Sequence, residues 1–284
     1  FLYSILSLLL SCPLLAQTIN PKEGLNIWFD KPTPLSGAGS WFNPLSDKDW
    51  EQRSLPIGNG SFGGNILGSI AAERITLNEK TLWRGGPNTS KGADYYWNVN
   101  KESAHLLPEI RQAFAEGDTE KAQKLTRENF NGLAQYEAEN EEPFRFGSYT
   151  TLGEIYIETG LSEVGMKNYQ RILSLDSALA VVRFQKDGVQ YKRVSFASYP
   201  DSVMVLKFSA DRPGMQNLTF SYAGNPEAEG KIVPQGNNGL LYTGKLENNQ
   251  MEFALCIHAH AKGGSIQTTS EGKLIIRNAD EVVF

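Results

Sequence analysis

From residue 152 onward, apolar and polar positions alternate with a period of two, as expected of strands with one buried face. Ile155 and Ile157 alternate with Glu154, Tyr156 and Glu158. The runs 178–185 and 189–197 flank Lys186, Asp187 and Gly188, an Asp-Gly hairpin signal. Further strands are predicted at 203–208, 218–222, 240–246, 251–260, 265–269 and 273–277. Turns fall at Asn248 and Asn249 and at Glu271 and Gly272, and residues 281–284 read as the start of one more strand. Many short strands at spacings of about ten residues predict a large antiparallel sandwich.

The period changes only between residues 100 and 131. Leu107, Ile110 and Phe114 recur at helical spacing, and Pro108 suits a first helical turn. Gly117 and Asp118 end that helix and cap a second, whose inner face carries Ala122, Leu125 and Phe130. The fold class predicted is therefore mainly β, a large antiparallel sandwich with a short helix pair inserted and lying against a sheet.

The most glycine-rich stretch is residues 55–87, LPIGNGSFGGNILGSIAAERITLNEKTLWRGGP. Its apolar runs 65–70 and 74–77, separated by Ala71, Ala72 and Glu73, predict a hairpin. Gly58, Gly60 and Gly63 spell G-x-G-x-x-G, but a dinucleotide fingerprint must open a helix. The segment after these glycines is strand-like, and no kinase lysine, H-R-D or D-F-G segment is present. A glycine-rich β-turn is the reading that remains.

Residues 1–16, FLYSILSLLLSCPLLA, read as the apolar core and cleavage site of a secretory signal peptide lacking its first residues, with cleavage after Ala16. Lipidation at Cys12 is the alternative. Either route implies export, to a bacterial periplasm, the cell surface or the medium. The apolar run is too short for a membrane span. Residues 18–54 are punctuated by proline and predict an edge strand at 25–29 and then a surface loop carrying Trp41, Phe42 and Trp50. Glu137, Glu139, Glu141 and Glu142 read as a solvated acidic loop rather than as paired catalytic carboxylates.

Composition changes this picture little. Net charge is −5 with no basic patch, which argues against nucleic acid as a partner. Only Cys256 remains after cleavage, so no intramolecular disulfide is expected. Cys256, His258 and His260 alternate on one predicted strand and would project from one face, a weak metal candidate without an assignable fourth ligand. Phe253, Leu255, Ile257 and Ala259 on the other face explain that strand as a sandwich layer. No cofactor is expected.

As a longer string, LPIGNG together with ERI-x-LNE-x-TLW-x-GGP resembles the N-terminal domain of glycoside hydrolase family 95, a family of α-L-fucosidases and α-L-galactosidases. The resemblance continues through 107–111 (LPEIR), Glu116, Gly117 and Asp118, residues 152–154, 173–176, 187–189 and 196–201. It implies a β-super-sandwich over residues 17–284, with a helical linker, a catalytic (α/α)6 barrel and a small β-domain after it in such enzymes. The family reaction is inverting hydrolysis of a terminal α-L-fucosyl or α-L-galactosyl bond, with its acid and base in the barrel, so no catalytic residue falls in this chain. The partners implied are that barrel and fucosylated or L-galactosylated glycans.

Asn78, Glu79, Trp83 and Arg84 are the candidate residues for the barrel interface or the wall of the sugar pocket. Trp83 suits stacking on a pyranose, and Asn or Arg suits holding hydroxyls. The competing reading is a buried interdomain contact with Glu79 paired to Arg74 or Arg84. A free-standing carbohydrate-binding sandwich is the alternative function.

Overall fold

The computed structural model describes residues 19–35, 47–84, 101–130, 148–247 and 249–284. The predicted signal segment, Trp41, Phe42 and the acidic run at 137–142 lie outside these residues. The chain divides into two compact units, Phe1–Thr81 with Thr151–Gly244 and Phe253–Phe284, and Leu82–Thr150 with Lys245–Glu252.

The first unit carries two seven-stranded sheets. In spatial order, one contains β1 (Asn26–Phe29), β8 (Lys167–Ser174), β9 (Leu179–Lys186), β10 (Val189–Ser198), β11 (Val203–Ala210), β19 (Glu281–Val283) and β16 (His260–Lys262). The other contains β17 (Ser265–Thr268), β18 (Leu274–Ala279), β12 (Gln216–Gly224), β7 (Gly153–Glu158), β4 (Ala72–Glu79), β3 (Phe62–Ile66) and β2 (Leu55–Gly58). A three-stranded sheet of β13 (Ala228–Gln235), β14 (Gly239–Leu246) and β15 (Glu252–His258) completes the larger β-elements. Alternation places Ile75, Ile157, Phe220 and Ile276 of one seven-stranded sheet in a single core with Leu173, Leu206, Phe208 and Val282 of the other. The fold is thus the mainly β sandwich that the period-two pattern predicts.

Two local expectations hold in detail. The β9–β10 hairpin turns at Asp187 and Gly188, both at positive φ (51° and 76°), which is the primed turn that Asp-Gly favours. β1 is an edge strand. Others need correction. Tyr169, Arg171 and Ile172 lie in β8, a strand without an alternation signal because four consecutive positions, Arg171 to Ser174, are buried. The single strand expected over 251–260 breaks at Ala259, whose N–H turns to the Asn238 carbonyl (2.8 Å) and sends β16 into another sheet. Trp50 lies in a short helix, α1 (Lys48–Arg53), rather than a loop, because Asp47 caps it by accepting from the Trp50 N–H (3.0 Å).

In the second unit, α2 (Leu107–Ala115) and α3 (Thr119–Asn129) form the helix pair. Gly117 takes φ +80° and Asp118 caps α3 through the Lys121 N–H (3.0 Å). Ile110, Ala113 and Ala122 are buried together with Leu106, Leu125 and Phe130 against them. Phe114, which recurs at helical spacing with Ile110, is 53% exposed, whereas its neighbour Ala113 is buried in the helix contact.

The segment between β3 and β4 leaves the ladder after Ile66, so the predicted strand over 65–70 ends early. Leu67 and Ile70 are buried, Gly68 takes φ +76°, and a Cβ there would lie 2.4 Å from Arg171 Cδ. Around this turn lies a set of buried charges. Arg74, 1% exposed, donates through Nε (2.9 Å) and Nη2 (2.6 Å) to Glu154 Oε1 and through Nη1 to Asp47 (2.7 Å). Glu154 also accepts from Thr76 (2.9 Å) and from the Tyr156 hydroxyl. Arg193 pairs with Glu73 (2.9 Å) and donates to the carbonyls of Ser69 (2.5 Å) and Ile70 (3.0 Å). Burial opposes the Arg74 charge, but its bonds to Glu154 and then Asp47 outweigh that, and its pKa is raised. Arg74→Met should cost about 3–5 kcal/mol, since it strands two buried carboxylates; urea unfolding checks this, and the double change with Glu154→Gln should recover part of the loss.

Candidate functional site

The four residues singled out by the sequence do not form one cluster within a single unit. Asn78 and Glu79 end β4 in the first unit, whereas Trp83 and Arg84 form β5 (Trp83–Arg84) in the second.

Asn78 is exposed and pairs in register with Gly63. A Cβ on Gly63 would lie 2.7 Å from the Ile57 carbonyl oxygen and 3.2 Å from Asn78 Oδ1, so only glycine lets the three segments approach this closely. The G-x-G-x-x-G glycines therefore serve the β2–β3 hairpin, and strand β3 after them excludes a dinucleotide loop. Glu79 does not pair with Arg74, which is turned towards Glu154 and Asp47. Its Oε2 instead accepts the Thr81 N–H (2.8 Å) and hydroxyl, closing a turn.

β5 pairs with β6 (Ser148–Tyr149), Trp83 opposite Tyr149. The two rings meet edge to face, centroids 5.2 Å apart at 67°, and remain 39% and 52% exposed. Arg84 is buried at 8% exposure, so its guanidinium is not the open hydroxyl clamp expected. Asn249 Nδ2 donates to the Trp83 carbonyl (2.6 Å), and its Oδ1 accepts from the Met251 N–H (3.1 Å), fixing the ribbon that carries the tryptophan. An edge-to-face aromatic corner with two apolar walls suits the C–H face of a sugar ring. Tyr149 and Asn249 escape a reading of the sequence because a two-residue strand has no period. The one cue is the Asn-Asn turn at 248–249.

Cys256 and His258 lie on the exposed face of β15, but the break at Ala259 carries His260 into β16. Among the described residues no group of three or more His, Cys, Asp or Glu side chains is placed to hold a metal ion. The His260 pKa is lowered, first by burial and then by the neighbouring His258.

Residues 27–284 match the family model described as glycosyl hydrolase family 65, N-terminal domain, and the chain belongs to that family. Alpha-L-fucosidase 2 of Arabidopsis thaliana is 25% identical over 261 residues, covering 84% of this chain and 28% of that protein. The Aspergillus niger protein named "Probable alpha-fucosidase A" is 32% identical over 190 residues, covering 63% of this chain and 21% of the relative. A solved structure assigned as a kojibiose phosphorylase, from the human microbiome, superposes on 92% of this chain and 32% of its own at TM-score 0.46 and 12% identity. The chain thus spans under a third of the length of these relatives, and the resemblance to an N-terminal fucosidase-type domain stands.

The histidine geometry has two measurable consequences. Zinc at 100 μM should leave the melting temperature unchanged, whereas a site of about 1 μM affinity would add about 2.7 kcal/mol. Because the folded state holds His260 below its ordinary pKa of 6.5, its unfolded form takes up protons first, and stability should fall as pH drops through that range. His260→Gln should lose less between pH 7.5 and 5.5, read from urea midpoints.

Proposed function

We propose that this chain is the non-catalytic N-terminal domain of an exported, inverting exo-glycosidase that removes terminal α-L-fucosyl or α-L-galactosyl residues from oligo- or polysaccharides. The observation that carries the reading is the alignment with Arabidopsis alpha-L-fucosidase 2 over 84% of this chain but only 28% of the relative. The acid and base of an inverting hydrolase must stand on opposite faces of the sugar with water between them. The family resemblance assigns both to a barrel that comes after the sandwich, so the fragment alone is expected to be inactive. Export rests on the apolar leader at 1–16.

A second reading has one observation in its favour. The exposed Trp83–Tyr149 corner also suits a carbohydrate-binding module acting without a hydrolase.

The deciding experiment is to express the full-length gene product and follow sugar release from α-L-fucosides and α-L-galactosides by NMR. Release of the β-anomer of either L-sugar is expected. Absence of hydrolysis with micromolar binding of fucosylated glycans would replace the enzyme reading with the module. Trp83→Ala in the full-length protein should raise KM or lower kcat about tenfold, the scale of one stacking contact, with a change of melting temperature of less than about 3 °C. Unchanged kinetics would remove Trp83 from the sugar pocket.

A further inference from the structure

Segments that carry the family resemblance are far apart in sequence, yet within the first unit five of them reach the same end of their sheets. Residues 55–60 finish β2, and Asn78 and Glu79 finish β4. Residues 152–154 open β7, 173–176 close β8, and 196–201 lead from β10 into β11. Paired registers align these ends: Gly58 with Gly63 and Gly63 with Asn78 in one sheet, Ser174 with Leu179 and Ser198 with Val203 in the other.

Side chains bolt the loops together. Asn59 Oδ1 accepts the N–H groups of Ser61 and Phe62 (3.0 Å each), while its Nδ2 donates to the Ser198 carbonyl across the sandwich (2.9 Å). The Thr151 hydroxyl donates to the Leu77 carbonyl (2.7 Å), and Asp176 accepts from the Leu25 N–H (2.8 Å). The turn after β10 is closed by the Ser198 hydroxyl donating to Asp201 (2.7 Å) and by the Ser202 N–H donating to the Tyr199 carbonyl (3.3 Å). The result is a rigid turn whose Tyr199 side chain stands 75% exposed. A large aromatic held on a fixed backbone in solvent loses little entropy on docking, which is the profile of an interface anchor.

We infer that this end of the sandwich, centred on Tyr199 and flanked by Asn59, Asn78 and the Pro200–Ser202 backbone, is the face on which the catalytic part of the same polypeptide docks; this rests on the reading given under Proposed function. Two observations select that occupant. The aligned region makes up only 28% of the Arabidopsis protein, so most of that relative lies outside the sandwich. The direction of β19 is the second: it runs antiparallel to β11 with Phe284 hydrogen-bonded to Leu206 (2.8 and 2.9 Å), so it travels towards Val203 and the Tyr199 turn. β19 thus points to this end of the sandwich, not to the opposite one, where Val164 and the Asp187 hairpin lie.

Hydroxyl-radical footprinting of the full-length protein tests this. After correction for intrinsic reactivity, Tyr199 should be oxidised about tenfold more slowly than its exposure in the sandwich implies, as for a ring at the centre of an interface. Val164, 81% exposed at the opposite end, should react at its full rate. In Tyr199→Asp, the Asn78 to Thr81 peptide should exchange its amides faster than in the parent, with no change at the Asp187 hairpin. A Tyr199 that reacts at full rate, or that is protected only when a fucosylated glycan is added, overturns the docking face. Fucosidase activity measured on the same sample separates the two ideas: hydrolysis with Tyr199 open removes only the docking face, and protection without hydrolysis removes only the assigned reaction.

Discussion

A buried arginine ties strand β4 to its neighbour β7 and to the start of α1. Arg74 sits on β4 in the middle of a sheet, and removing its charge from water is unfavourable unless the whole guanidinium is met. Glu154 on β7 and Asp47 at the start of α1 meet it. Three segments separated by 27 and 80 residues are therefore fixed relative to one another by one side chain. Arg193 and Glu73 repeat the device one residue away, with their bonds reaching carbonyls of the turn at Ser69 and Ile70. Because neither pair tolerates a slipped register, the network selects one alignment of β4 against β7 where apolar packing alone would accept several.

That selection matters for the loops at the far end of β4. Asn78 and Glu79 are four and five residues beyond Arg74, and their positions are set by the strand's register. Gly63 allows β2, β3 and β4 to converge there without a side chain between them. Asn59 then ties the hairpin to the β10–β11 turn. A rigid loop platform on a sheet is the usual way in which a sandwich presents groups to a partner.

The β-rich architecture is legible in the chain because Ile155 and Ile157 alternate with Glu154, Tyr156 and Glu158, and Val194 stands between Arg193 and Ser195. The Asp187-Gly188 turn is equally plain, since few other dipeptides accept two positive φ values. Arg74 is visible as a residue but not as a core residue: its partners lie far away in sequence, and a charge in an apolar strand ordinarily signals a solvent face. β13 has no sequence signal because Gly230 and Pro234 weaken its pattern, and its pairing comes from β14. Of the candidate site, Trp83 is legible from the family hallmark, whereas Tyr149 and Asn249 are supplied by tertiary structure. The expected pairing of Glu79 with Arg74 fails because Glu154, itself wholly buried, has the stronger need of a cation.

The ring of Phe284 stacks on Phe220 (5.1 Å) and stands edge-on to Phe208 (6.0 Å), joining the inner faces of both large sheets. Its strand, β19, fills the gap between β11 and β16, so the first sheet is not continuous until the last residues of this region are in place. On a ribosome, β8 to β12 would emerge long before their final neighbour, with an open ladder on β11 and an uncovered aromatic core. Folding of the lobe is thus coupled to synthesis of residues beyond 280, and a holding chaperone has a defined client: the nascent sandwich that lacks its closing strand.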